Sequence, residues 1–238
     1  MLSCQFLSYN KIMIINFYKK RGISSFSALY GIKKALGTKK VGHCGTLDPF
    51  AEGVLLVVTG EDTKKSQELT HLNKEYISEI VFGIKSATFD FDSKNIAYSK
   101  NPISLGLVAQ FFPLFKEKFI GKIVQQVPSY SAVKINGKKL YKHSREGNID
   151  NIKLPSREVE IYEFEILDSY EKEIMETKYP VMKVRIMCSS GTYIRSIAVD
   201  IGKLINSDSI LYSLVRTKIG GYTIEDSIKD EDIFKITQ

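Results

Sequence analysis

The stretch that decides the reading is Lys39-Lys40-Val41-Gly42-His43-Cys44-Gly45-Thr46-Leu47-Asp48-Pro49-Phe50-Ala51-Glu52-Gly53-Val54-Leu55. Gly42, Gly45 and Gly53 permit backbone geometries closed to other residues and let a ligand come close. Asp48 precedes Pro49, which biases it towards an extended conformation and limits where its carboxylate points. A polar, Gly-rich loop from Val41 to Asp48, holding one His and one Asp beside an apolar run, suits a site. A plain turn with a capping Asp is the alternative reading of the same pattern.

Outward from this loop the chain alternates strands and helices without regular βαβ order. Ile12–Phe17 reads as a strand. Ser24 or Ser25 caps a helix with Phe26, Leu29, Tyr30, Ile32 and Leu36 on its apolar stripe, and Gly37 stops it. The apolar segment Gly53–Thr59 is followed by a polar-faced helix over Glu61–Leu72. Tyr76–Phe82 alternates like a strand. Ile103–Phe115 is an apolar helix broken by Pro113. Asn136-Gly137 is the strongest short hairpin signal, since both residues tolerate positive φ. Arg157–Leu167 and Val181–Cys188 are strands, Gly191 opens a helix over Tyr193–Ile205, and Ile210–Lys218 is a closing strand. The pattern predicts an α+β fold with a mixed sheet flanked by helices.

Composition sets the outer bounds. The chain has 238 residues, 43% of them hydrophobic and 26% charged, which is globular and rules out a wholly disordered chain. It carries a net charge of +7, which points to a polyanionic partner; a solvated Lys-rich surface is the plainer reading. The cysteines are Cys4, Cys44 and Cys188, with no C-x-x-C, so neither a disulfide framework nor a zinc site is supported, and a reducing cytosol fits. No apolar run approaches the roughly 18 residues of a membrane span. Met1–Ile12 lacks the pattern of a signal peptide.

The decisive stretch resembles the G-H-x-G-T-L-D-P-x-A-x-G-V-L signature of the TruB family, the tRNA pseudouridine-55 synthases. The resemblance extends over nearly the whole chain. Lys19-Lys20-Arg21-Gly22-Ile23-Ser24-Ser25 is similar to K-P-x-G-x-[ST]-S. Lys74-Glu75-Tyr76 and Phe82-Gly83-Ile84-Lys85-Ser86-Ala87-Thr88-Phe89-Asp90 resemble K-x-Y and L-G-x-x-T-x-T-x-D. The run from Phe119 to Lys134 resembles F-x-G-x-I-x-Q-x-P-P-x-x-S-A-x-K. Cys188-Ser189-Ser190-Gly191-Thr192-Tyr193-Ile194-Arg195-Ser196 resembles C-S-x-G-T-Y-I-R-[ST], and Leu214-Val215-Arg216-Thr217 with Ile219-Gly220 resembles L-R-R-T-x-I-G. The chain departs from the family at Lys20, Ser93, Val127 and Val215, which bears on loop geometry and on one RNA contact and removes no catalytic group.

The resemblance implies an isomerase with the pseudouridine synthase fold, acting without metal or cofactor on a uridine in the T-arm loop of tRNA. It implies Asp48 as the nucleophile, and leaves open which atom is attacked and whether a ribose proton leaves first. Arg195 is the implied partner charge, needed because burial alone would raise the carboxyl pKa. Tyr76 is implied to stack on the target base and to take part in proton transfer. Tyr193, Leu214 and Lys19 are implied to line or support the base pocket. His43 is implied to bind and extrude the nucleotide, since chemistry on a stacked base requires flipping it out. Cys44 is not read as a nucleophile. By position alone Tyr76, Tyr193 and Leu214 would pass as core, Lys19 as a solvated lysine and Arg195 as a surface arginine.

The expected organisation is one catalytic domain over residues 13–238 with an RNA-binding insertion near 120–150. Met1–Ile12 is expected to be a dispensable extension or a misassigned start, with Met13 as the alternative. Many relatives add a C-terminal RNA-binding PUA domain; the chain stops soon after its last motif, and none is expected here. RNA grip is therefore assigned to the insertion, on Lys134, Lys138, Lys139, Lys142 and Arg145, with Tyr130 and Tyr141 near them. A solvated charged hairpin is the plain alternative. A cytoplasmic monomer with tRNA as its partner is implied. The rival functions are a non-catalytic tRNA-binding protein on the same scaffold, and a relative directed at DNA or ribosomal RNA.

Overall fold

The computed structural model describes residues 14–60 and 63–236. The expectation for Met1–Ile12 falls outside them. In chain order the strands are β1 (Ile14–Lys19), β2 (Val41–Cys44), β3 (Glu52–Thr59), β4 (Lys74–Phe82), β5 (Ile84–Ser86), β6 (Ile96–Tyr98) and β7 (Gly121–Gln126). They continue with β8 (Lys134–Ile135), β9 (Lys138–Lys139), β10 (Ser156–Ile174), β11 (Thr177–Cys188), β12 (Ser209–Ile219) and β13 (Tyr222–Thr223). The helices are α1 (Ser25–Ala35), α2 (Thr63–His71), α3 (Leu105–Gln110), α4 (Phe112–Phe119), α5 (Leu140–Arg145) and α6 (Ile194–Leu204), with a 3-10 helix over Asp230–Ile236.

These elements form two compact units. One comprises the described residues up to Lys74 and those from Val215 onward; the other is Glu75–Leu214. In the first unit β3 is the centre. It pairs antiparallel with β1 and β2, and it runs parallel to β12 where Val215 and Arg216 face Glu52 and Gly53. β3 is apolar on both faces, as a central strand must be. Leu55 and Val57 pack with Ile15, Phe17, Ala28, Leu29 and Ile32 under α1. Val54 and Leu56 pack on the opposite side with Cys44, Leu69 and Ile219.

Helix α1 starts where the sequence says it should. Ser24 is the N-cap, accepting the Ser27 N–H at 3.0 Å, and Ser25, Ala28, Leu29 and Ile32 form the buried stripe, whereas Phe26 and Tyr30, expected on it, face solvent. Gly37, with φ +60°, follows its end. Residues Val41–Cys44, expected as loop, are strand β2 instead. Pairing with the apolar β3 overrides the two loop-favouring features of that stretch, Gly42 and the charged run before it.

The second unit has a largely antiparallel sheet in the order β12-β4-β11-β10-β7, which β12 enters with Ser209–Leu214. β10 and β11 form a hairpin longer than the sequence suggested, with Met175 and Glu176 at its turn. Val81, Ile84, Tyr179, Val181 and Ile210 make a core cluster there. The helical break expected at Pro113 falls at Phe111, because Pro113 sits in the first turn of α4, where a missing N–H costs nothing. Asn136 and Gly137, at φ +51° and +78°, turn the β8–β9 hairpin as expected. The α+β class is borne out in both units.

Candidate active site

The loop from Gly45 to Ala51 joins β2 to β3 in the first unit. Cys44 turns its side chain into the core, where burial pushes the thiol pKa up; it is an inert packing group. The residues after it are held through their backbone. Ser25 Oγ donates to the Leu47 carbonyl and accepts the Leu47 N–H, both at 2.8 Å. Lys19 Nζ donates to the carbonyls of Lys20 (3.0 Å), Ile23 (2.8 Å) and Pro49 (3.3 Å). The Gly22 N–H also reaches the Pro49 carbonyl, at 2.8 Å. Arg216 donates from Nε to Val54 O (2.7 Å), from Nη2 to Gly45 O (3.2 Å) and from Nη1 to Thr46 O (3.4 Å).

Asp48 thus sits half-buried between peptide groups fixed on both sides. Its own carbonyl accepts the Ala51 N–H at 3.1 Å, which closes the turn. Two glycines make this packing possible. Gly45 has φ +95° and Gly53 has φ +108°, and a Cβ at Gly53 would overlap the Arg216 carbonyl. Hydrogen bonds to charged donors contribute about 1.5–3 kcal/mol each, so the cations Lys19 and Arg216 set the loop more firmly than neutral side chains would.

The same two cations shape the electrostatics. Burial pushes the Lys19 pKa down from 10.5 to about 8; Asp48 and Glu52 act against the fall and Arg216 adds to it. Lys19 and Asp48, matched independently in the sequence, are therefore electrostatic neighbours. His43 lies on β2, opposite Val57 of β3, one residue before the buried Cys44.

In the second unit, Arg195 is on the first turn of α6 and only 4% exposed. Its Nη1 donates to Thr88 O (2.8 Å) and its Nη2 to Tyr130 O (2.9 Å). The Thr88 segment is itself tied, with Thr88 Oγ1 donating to Asp90 Oδ1 (3.0 Å) and Ser86 Oγ to Asp90 O (2.8 Å). The fork of Arg195 is thereby held rigid. Its burial excludes the alternative reading of Arg195 as a surface arginine.

Tyr193 is the N-cap residue of α6. Gln125, buried on β7, clamps its backbone from both sides: Oε1 accepts the Tyr193 N–H (3.0 Å) and Nε2 donates to the Tyr193 carbonyl (3.2 Å). The Arg157 guanidinium lies 5.2 Å from the Tyr193 ring centroid, and its Nη1 donates to Gly191 O at 3.3 Å. Tyr76 on β4 and Leu214 on β12 are buried. Sequence reasoning gave no role to Ser25 beyond a cap, and none to Gln125 or Arg216. Arg216 was visible only as a fixed letter of the closing motif.

The cations assigned to RNA grip lie on β8, β9 and α5. Lys134, Lys142 and Arg145 are exposed. Lys139 and Arg145 flank the Tyr141 ring, at 5.8 and 5.4 Å from its centroid. Lys138 pairs with Glu146, so its charge is offset locally. Among the described residues no group of three or more His, Cys, Asp or Glu could hold a metal ion, and no helix is long and apolar enough to cross a membrane.

Residues 33–194 match the family described as TruB family pseudouridylate synthase (N terminal domain), and the chain belongs to that family. It is 40% identical over 227 residues to the tRNA pseudouridine synthase B of Francisella tularensis subsp. tularensis, covering 95% of this chain and 70% of the relative. The tRNA pseudouridine synthase B of Francisella philomiragia is also 40% identical, over 94% of this chain and 71% of its own length. Among solved structures, a chain in the crystal structure of a Cbf5-Nop10-Gar1 complex superposes with a TM-score of 0.65 at 27% identity. The match covers 93% of this chain and 53% of that one, so the chain spans about half of its length. A chain of the archaeal box H/ACA sRNP Nop10-Cbf5 complex shares the fold, with a TM-score of 0.62 at 23% identity.

Proposed function

We propose that the protein is a tRNA pseudouridine synthase that converts the T-loop uridine at position 55 to pseudouridine. In this isomerisation the C1′–N1 glycosidic bond breaks, the uracil turns, and C1′ joins C5. The proton lost from C5 is balanced by the one gained at N1. Substrate and product have the same atoms, so no oxidant, reductant or group donor enters, and no cofactor or metal is assigned.

One observation carries the reading: Asp48 sits in a loop whose peptide groups from Gly45 to Pro49 are fixed by buried side chains. A binding protein has no use for a carboxylate on a loop held so firmly, whereas a nucleophile must be placed to within a fraction of an ångström. Asp48 is assigned as the nucleophile. Arg195 takes the role of its counter-cation, and Tyr76 that of the base-stacking and proton-handling phenol. Tyr193, Leu214 and Lys19 shape and support the base pocket, and His43 helps hold the nucleotide extruded. Lys134, Lys138, Lys139, Lys142 and Arg145 contact phosphates, with Lys138 the weakest because Glu146 pairs with it. We assign the protein to the cytoplasm and to a monomer.

The test is incubation of unmodified tRNA with wild type and with Asp48→Asn, followed by mapping of pseudouridine in the T-loop. The expected result is product from wild type alone, with RNA binding kept in the variant. Equal product from both would sink the mechanism, and no product from wild type would favour a non-catalytic binder.

A further inference from the structure

The solvent face of α1 is absent from everything assigned so far, and its chemistry is unusual. The inward stripe of the helix is Ser25, Ala28, Leu29 and Ile32. The outward stripe carries Phe26 and Tyr30, one turn apart, then Lys33 and Lys34 a turn further on. Phe26 is 71% exposed and Tyr30 75%, whereas the next most exposed aromatic among the described residues, Tyr162, is 40%. Lys33 Nζ sits 4.9 Å from the Phe26 ring centroid. One exposed aromatic is ordinary; two on one stripe, edged by lysines, form a patch.

The chain segment that carries this stripe has charge of one sign. From Lys19 to Leu47 the sequence holds Lys19, Lys20, Arg21, Lys33, Lys34, Lys39 and Lys40 and no acidic residue. The 3-10 helix brings carboxylates to one flank, and there Asp230 and Glu231 take up Lys20. Lys34, Lys39 and Lys40 remain exposed.

Position gives the patch a context. Ser25 Oγ bonds both polar groups of Leu47, the residue before Asp48. Phe26 is the next residue after that anchor, and Tyr30 lies about 6 Å further along the helix axis. The stripe thus leads away from the Asp48 loop within the same compact unit.

We infer that the outward face of α1 is an RNA-contacting track, where Phe26 and Tyr30 stack on bases of the substrate RNA flanking the reacting nucleotide while Lys33, Lys34 and Lys39 meet its phosphates. The inference rests on the proposed function for the identity of the polyanion. Stacking platforms of this kind tolerate any base, because every base has a π-face, and lysines follow the backbone without reading sequence. Two rings and a few lysines are far too small a surface for a stable protein interface, which buries about 800 Å² per partner.

The test compares binding of an unmodified tRNA transcript by wild type, by Phe26→Gln/Tyr30→Gln, and by Tyr162→Gln as a surface control. All three positions are exposed, so folding is preserved. The double variant should bind more weakly by about thirtyfold or more, for the loss of two stacked bases. The control should match wild type. A second variant, Lys34→Gln/Lys39→Gln, should lower the slope of log affinity against log salt by about 1–2. Affinity of Phe26→Gln/Tyr30→Gln within twofold of wild type would overturn the track, as would an unchanged affinity with altered self-association, which would give the face to a second copy. Failure of wild type to form pseudouridine would instead count against the proposed reaction, and the binding comparison would still decide the track.

Discussion

Arg216 Nε donates to the carbonyl oxygen of Val54 at 2.7 Å, from a side chain only 1% exposed. The remaining arms of the same guanidinium hold Gly45 and Thr46, so one cation spans both ends of the Asp48 loop. Arginine suits this because its donors form a rigid fork and its charge cannot be shed. Arg216→Lys keeps the charge and loses the fork. It should lower kcat by about tenfold or more, since small misplacement of a reacting group costs that much, while leaving RNA affinity near wild type. Arg216→Met should also destabilise, by on the order of 3 kcal/mol for the stranded carbonyls. Single-turnover rates and denaturant melts separate the two effects, and a Lys variant with full kcat would remove Arg216 from loop positioning.

Lys19 makes the pH dependence of activity and of stability run in opposite directions. Its pKa is pushed down to about 8 from 10.5, by burial first. Between those values the unfolded chain keeps a proton that the folded one has lost, so this group's contribution to stability rises with pH across that window. Activity goes the other way. A protonated Nζ has three protons for its three carbonyl partners, and the neutral amine has two. The kcat/KM profile should bend down above about pH 8 while denaturation midpoints hold or rise. In Lys19→Arg, which stays charged, the bend should disappear. A wild-type profile that stays flat to about pH 9.5 would contradict this.

Much of this site was legible because it is written in fixed letters close together. The Asp48 loop, the Ser24 cap, the Asn136-Gly137 turn and the Arg195 helix each carry a local signal. The clamps were not legible for a physical reason. Arg216, Gln125 and Ser25 all bond to peptide groups, and a carbonyl or N–H leaves no mark in the sequence to say who will reach it. Arg216 and Thr46 are separated by 170 positions. The β10–β11 hairpin was underestimated because Met175 and Glu176 adopt φ of +49° and +61° without the Asn or Gly that advertises such a turn. Strand β2 was missed because its partner β3, and not its own residues, makes it a strand.

Two glycines with positive φ should respond differently to the same change. Gly22 has φ +87° and open space within 4 Å of where a Cβ would stand, whereas Gly53 has φ +108° and packs against the Arg216 carbonyl. Gly22→Ala should cost about 1 kcal/mol of backbone strain, and Gly53→Ala about 3 kcal/mol or more, because the β3–β12 pairing must also shift. Equilibrium denaturation of the two variants checks the difference. Equal losses would mean that the close approach at Gly53 is relieved by small movements.

Gln125 ties β7 to the start of α6 and leaves Tyr193 no freedom at its backbone. Gln125→Leu removes both bonds and takes the acceptor from the Tyr193 N–H, at about 1–3 kcal/mol, while the Tyr193 carbonyl keeps the N–H groups of Ser196 and Ile197. Gln125→Glu keeps the acceptor for the Tyr193 N–H and loses the donor to its carbonyl. If Tyr193 lines the base pocket, its displacement should raise KM for tRNA in both variants, more in Leu than in Glu, in step with the lost bonds. Stability alone would follow the same order, so the deciding readout is KM measured well below the melting temperature of each variant. A KM equal to wild type in Gln125→Leu, with its stability lowered, would confine Gln125 to holding the fold.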